Sequence, residues 1–283
     1  MIALDDEDAW DALAAAYVVT NPCAQEWGAS WLGDSEWGAS WQLELSLWRR
    51  VQPRILIDIF RALSISALHS QYTLGDVVEL GVGAGGSTAF LGLLCSLRSP
   101  TRRVVAIDTF RGLPRPNRAY DRAYDEGLFA TDEDEVRRWL ASLGLGDVVR
   151  VHALSFDAAS TVLDGTYGLA HLDGDLFEST CTAANAIVAR LPKRAAIVCD
   201  DAWDESGGVL AAVRATWLGK CTLALGPTGQ LLCFVERSGT GAVSTDWVRS
   251  LPGYVPFLRE CLARTSGTDR VAVARLLDLI GAR

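Results

Sequence analysis

The sequence predicts an α/β fold, a mostly parallel sheet with helices on both faces. Three observations predict it. From residue 76 onward, short apolar runs alternate with helical patterns. A glycine-rich turn, Gly81-Val-Gly83-Ala-Gly85-Gly86, separates the first run from the first helix. Two later runs end in acid pairs, Asp173 with Asp175 and Asp200 with Asp201. An open α/β sheet gathers its chemistry at the carboxyl ends of its strands.

Composition sets the bounds. The chain has 283 residues, 49% of them apolar, ample for a real core. A net charge of −9 argues against nucleic acid or an anionic membrane as the main partner. Seven cysteines, with no Cys-x-x-Cys pair, point to reduced, buried thiols. The first residues, Met1 to Leu13, are acidic where a secretion signal is basic. No apolar run reaches the ~20 residues of a membrane span. The expectation is a soluble, cytoplasmic protein.

Residues 1–72 read as a helical, tryptophan-rich cap. Glu26-Trp-Gly-Ala-Ser-Trp31 recurs as Glu36-Trp-Gly-Ala-Ser-Trp41. The repeat fits an aromatic surface for a ligand and, equally well, a tandem packing element. Val51 to His69, with an early Pro53, has the apolar spacing of a helix. Residues 73–238 form the core. Strands are expected at Asp76–Leu80, Arg103–Asp108, Asp147–His152, Gly168–Asp173 and Ala195–Asp200. Helices fit at Ser87–Leu97, Glu133–Ser142, Phe177–Leu191 and Glu205–Trp217. Cys221–Leu225 and Leu231–Glu236 flank Gly-Pro-Thr-Gly and read as a closing antiparallel hairpin. Residues 239–283 form a helical extension, expected to pack on the sheet or on another subunit.

Thr109 to Asp132 is long, polar and rich in arginines and aromatics. A loop of that length in a compact domain is commonly functional, and here it suits a lid. In the glycine loop, Gly81, Gly83 and Gly86 have the spacing of a nucleotide-cofactor turn, and Asp108 stands where a ribose-binding acid would. The pattern fits a nicotinamide cofactor, hence an NAD(P)-dependent oxidoreductase, and also S-adenosylmethionine. Glu79 favours the latter, because a carboxylate there repels a pyrophosphate and suits an ammonium or sulfonium.

Four carboxylates on one rim repel each other unless a cation sits among them or one is protonated. A hard divalent ion with oxygen ligands is the simplest answer. The competing reading is that Asp175 caps the next helix, since Asp175-Leu-Phe-Glu178 resembles a capping box. Capping explains one acid of each pair. His171 reads as a packed histidine rather than a ligand.

Val78-Glu-Leu-Gly-Val-Gly-Ala-Gly-Gly-Ser87, Asp108-Thr-Phe-Arg-Gly-Leu-Pro114, Leu172-Asp-Gly-Asp-Leu-Phe-Glu-Ser-Thr180 and Asp200-Asp201 resemble the macrocin O-methyltransferase (TylF) family. Its members are S-adenosylmethionine- and Mg²⁺-dependent O-methyltransferases of natural-product sugars. The resemblance runs over roughly residues 74 to 218. It implies a Rossmann-like class I methyltransferase fold with a seven-stranded sheet whose last strand is antiparallel. It also implies Mg²⁺ on Asp173, Asp200 and Asp201, with Asp175 as general base. Cofactor contacts would come from Glu79, Gly81, Gly85, Ser87, Asp108, Phe110, Phe156, Asp157 and Asp173, with Asp108 on the ribose and Phe156 and Asp157 near the adenine. The acceptor would be a small-molecule hydroxyl, and the resemblance and the apolar tail suggest a homo-oligomer. The chain departs from the family at Ala153-Leu-Ser-Phe156-Asp157, where a Gly-Trp/Tyr-Phe segment is usual. A cofactor-binding scaffold without catalysis is the alternative from another class.

Overall fold

The computed structural model describes residues 1–52, 54–204 and 208–282, and the side chains of all of these except 236–238. Pro53 and the start of the helix expected at Glu205–Trp217 lie outside the described residues. The strands are β1 (Ile2–Ala3), β2 (Asp76–Leu80), β3 (Val104–Asp108), β4 (Val149–Ala153), β5 (Tyr167–Leu172), β6 (Ala196–Cys199), β7 (Cys221–Leu225), β8 (Leu231–Ser238) and β9 (Ala242–Ser244). They form one sheet in the order β1-β9-β7-β8-β6-β5-β2-β3-β4. β4, β3, β2, β5 and β6 run parallel, and β8 runs antiparallel between β6 and β7. Among the described residues the sheet has nine strands rather than seven, because β9 pairs with β7 and β1 pairs with β9.

All of β5 and β6, and β2 beyond Asp76, is buried. A strand covered on both faces needs no polar alternation, which is why these read as continuous apolar runs. The chain leaves β2 toward β3 and β4 on one side and returns to β5 and β6 on the other. That reversal opens a crevice at the carboxyl ends of β2 and β5. Leu80 pairs with Leu172 there, so Gly81 and Asp173 emerge side by side.

The helix expected over Val51–His69 begins only at Ile59 and runs to Gln71, and Val51 is the last residue of an earlier helix, Gln42–Val51. Gln52 is extended at ψ 147°, as a residue before proline prefers. The second helix starts at Asp58, whose carboxylate accepts the Phe60 and Arg61 N–H groups. Arg54 and Ile55 press on the glycine loop at Gly86. A Cβ on Gly86 would lie 2.2 Å from the Ile55 Cα. In the later part of the core, the helix beyond residue 208 spans Val209–Ala215, and a 3₁₀ turn takes up Trp217–Lys220.

The tryptophan repeat packs inward. Trp27 and Trp31 lie against Phe257, with centroids 4.8 and 5.7 Å away, and the Trp41 indole donates to the Pro252 carbonyl. The helix Gly267–Leu279 packs along Glu7–Cys23 and buries Val273, Leu276 and Leu277. The apolar face of the tail is thus used within the chain and no longer argues for a homo-oligomer. All seven cysteines are free thiols. Among the described residues, no helix is long and apolar enough to cross a membrane.

Candidate active site

The crevice widens into a cavity of about 1170 Å³. Its floor is the glycine loop. Gly81 has φ +104°, and a Cβ there would stand 1.7 Å from the Asp173 carbonyl oxygen. Glycine is therefore obligatory on two grounds, backbone angle and close approach. Gly83 has φ +50°, and a Cβ there would meet nothing within 4 Å, so the loop leaves room for a ligand. Asp108 holds the loop in place. Its Oδ2 accepts the Val82 and Gly83 N–H groups at 2.8 and 2.9 Å, and its Oδ1 accepts that of Phe110. The helix Gly86–Arg98 has no side-chain cap, and Gly86 and Ser87 at its start line the cavity. Such a start offers N–H groups to an anionic ligand group.

The acids sit beside this loop. Asp175 and Asp201 have φ +57° and +52°, the left-handed region that non-glycine residues rarely occupy. That backbone turns each acid back toward its neighbour. Asp175 is not the cap of the helix Phe177–Ile187, whose N-cap residue is Leu176. The Phe177 N–H is accepted instead by Asp121, from the loop after β3, at 2.9 Å.

Burial, then the charges of Asp200, Asp175, Asp201 and Glu79, push the Asp173 carboxyl far up. Burial and the charges of Asp201, Asp200 and Asp204 push Asp175 up to about 8, against the pull of Arg61. Burial disfavours a charged His171, but its hydrogen bond to Glu79, the Glu79 charge and that of Asp200 prevail and raise it. His171 is fully buried, as expected of a packed histidine, with Nδ1 3.0 Å from Glu79 Oε1.

Part of the missing positive charge is protein. Arg61 Nη1 lies 2.9 Å from Asp200 Oδ2 and 3.0 Å from Asp201 Oδ1. Tyr17, from the first helix, donates to Asp201 Oδ1 and accepts from Arg61 Nη2. A cation still fits. Asp200 Oδ1 is buried without a partner. One oxygen each of Asp173, Asp175 and Asp201 lie within 4.8 Å of one another, and Asp173 and Asp200 form a second such group with His171. These are mainly the hard oxygen donors that Mg²⁺ prefers.

Asp173, Asp175, Asp200, Asp201, Gly81, Ser87, Asp108, Phe156 and Asp157 all line the cavity. Glu79, Gly85 and Phe110 do not. Glu79 is fully buried behind the loop, held by the Thr88 hydroxyl and His171, so it shapes the site from beneath. The loop Thr109–Asp132 forms a wall through Arg111, Leu113, Tyr124 and Phe129. It is anchored by Tyr124 donating to Asp204, Tyr120 stacked on Phe177 at 3.9 Å, and Thr131 donating to the Gly83 carbonyl. Sequence reasoning missed Arg61, Tyr17 and Asp121. The available signal was a lone arginine three residues after an aspartate within an otherwise apolar helical run.

The macrocin-O-methyltransferase (TylF) family model matches residues 59–215, more than half of the chain. The 8-demethyl-8-(2,3-dimethoxy-alpha-L-rhamnosyl)-tetracenomycin-C 4'-O-methyltransferase of Streptomyces olivaceus is 34% identical over 137 residues. That match covers 45% of this chain and 52% of the relative, so the chain spans about half the length of this curated relative. Two solved structures share the fold. The O-methyltransferase NovP has a TM-score of 0.56 at 23% identity, over 65% of this chain and 83% of its own. CalS11, a calicheamicin methyltransferase, has a TM-score of 0.55 at 20% identity, over 81% of this chain and 92% of its own.

Proposed function

The chain belongs to the macrocin-O-methyltransferase (TylF) family, and on that premise we propose that it transfers a methyl group from S-adenosylmethionine to a sugar hydroxyl of a small natural product. The observation that carries this reading is the contact between Gly81 and the Asp173 backbone, which sets a cofactor loop directly beside an acid cluster. The sugar acceptor is favoured by the relative from Streptomyces olivaceus, named for a rhamnosyl substrate.

Gly81, Ser87, Asp108, Phe156 and Asp157 would hold the cofactor along the cavity wall, and Asp173, Asp200 and Asp201 would hold Mg²⁺. When bound, S-adenosylmethionine supplies an electrophilic methyl group and Mg²⁺ supplies charge that acidifies and orients a hydroxyl. Asp175 takes the acceptor's proton on its carboxylate, which lines the cavity beside Asp173 and Asp201. The loop Thr109–Asp132 excludes water from the cavity, which strengthens the electrostatics inside it. Most of the protein's contribution is then positioning. The reaction would take place in the cytoplasm.

A thermal-shift comparison tests the cofactor. S-adenosylhomocysteine should raise Tm clearly, and NADH should not. Stabilisation by NADH alone would sink the reading in favour of an oxidoreductase. Binding of S-adenosylhomocysteine with no transfer to any glycosylated acceptor would favour a scaffold.

A further inference from the structure

Arginine is rarely buried, yet Arg61 is only 3% exposed. It sits on a largely apolar helix and reaches into a rim of carboxylates. Its three nitrogens are all engaged. Nε donates to the Thr228 carbonyl at 2.6 Å, and Nη2 donates to the Tyr17 hydroxyl at 3.0 Å. Nη1 alone meets both Asp200 Oδ2 and Asp201 Oδ1. Asp58, fully buried, stands 3.4 Å from Nε and is itself fixed by the Thr228 hydroxyl at 2.6 Å. A guanidinium held from several elements at once is not free to swing away when a ligand enters. It satisfies one oxygen of Asp200 and leaves the other, Oδ1, buried and unpartnered.

We propose that Arg61 is a positioning residue, a built-in counter-cation that holds Asp200 and Asp201 together without metal and weakens the grip of the site on a divalent ion. Adjacent carboxylates repel, and the guanidinium offsets that repulsion, so this rim assembles before any ion arrives. The same charge then opposes a divalent ion held by these acids. The site binds its ion reversibly as a result.

This inference rests on the metal reading proposed above. The test uses the EDTA-stripped chain, titrated with MgCl₂ in a calorimeter and melted with and without Mg²⁺ at matched ionic strength. Arg61→Met should bind Mg²⁺ tighter than wild type by about tenfold or more. Stripped of metal, it should melt below wild type, and Mg²⁺ should raise its Tm by more. Arg61→Lys keeps the charge though not the guanidinium's fork of donors, and serves where the methionine variant does not fold; because the opposing charge is kept, its Mg²⁺ affinity should stay within about threefold of wild type. Affinity in Arg61→Met equal to or weaker than wild type overturns the inference, as does a tenfold change in Arg61→Lys. If neither wild type nor variant responds to Mg²⁺, the metal reading fails with it, so the two failures are distinguishable.

Discussion

At the scale of single residues, Asp175 is the most informative group. Its left-handed backbone costs on the order of 1 kcal/mol or more, a cost that persists where the surroundings impose it. It caps no helix, so that strain is not explained by helix initiation. Asp175→Asn keeps the shape and removes the proposed base. Cofactor binding should survive while turnover falls by about a hundredfold or more; near-normal turnover would remove Asp175 from the mechanism. The acids also set a pH dependence. Asp173 and Asp175 hold protons in the folded chain at pH values where the unfolded chain has released them. The contribution of Asp175 to stability is therefore fully present below the unfolded carboxylate range of about 4 and is lost as pH rises toward about 8, and that of Asp173 falls in the same direction. The metal-free chain should show a falling Tm across this window, and the Tm gain on adding Mg²⁺ should be larger at the alkaline end, because the proposed ligands are then already deprotonated. A Mg²⁺ gain that shrinks with pH would contradict this. The acids themselves were legible because strand ends announce them. Arg61 was not, since its partner Asp200 is 139 residues away and only the folded chain brings them together.

Among the elements, the buried strands were legible as apolar runs and the helix Glu133–Ser142 through its amphipathic spacing and Asp132 cap. Val51–His69 misled because helical spacing persists across Asp58, whose cap starts a new helix there. The loop Thr109–Asp132 is tied to the acid-bearing segment by one fully buried side chain. Asp121 accepts the N–H groups of both Asn117 and Phe177, joining the wall of the cavity to the helix that follows Asp175. Asp121→Ala should cost about 1–2 kcal/mol in denaturant unfolding, the loss expected for a helix cap. It should also raise the acceptor KM more than it weakens S-adenosylhomocysteine binding. An unchanged unfolding midpoint would show that the loop docks by other means.

Across the whole molecule, the site is assembled from distant parts of the chain. Tyr17 comes from the first helix, Arg61 from the helix before the sheet, the acids from the rim, and Thr228 from the β7–β8 turn. The two copies of Glu-Trp-Gly-Ala-Ser-Trp show why the conformation of the repeat was not legible within a correctly read helical region. The first is helical and the second forms a 3₁₀ turn. Gly28 abuts Phe60, whereas Gly38 abuts the Leu32 and Gly33 carbonyls, so tertiary contact rather than sequence decides the conformation. The same holds for β1 and β9, too short to stand out as sequence patterns. The proposed reaction is methyl transfer in this assembled cavity with the help of a divalent ion on its acids. The most direct measurement is mass spectrometry of a rhamnosylated acceptor incubated with S-adenosylmethionine and the EDTA-stripped chain, with and without added Mg²⁺. The acceptor should gain one methyl group when Mg²⁺ is present, with at most about a hundredth of that yield without it. Equal methylation in EDTA, or none under either condition across a panel of glycosylated acceptors, would contradict it.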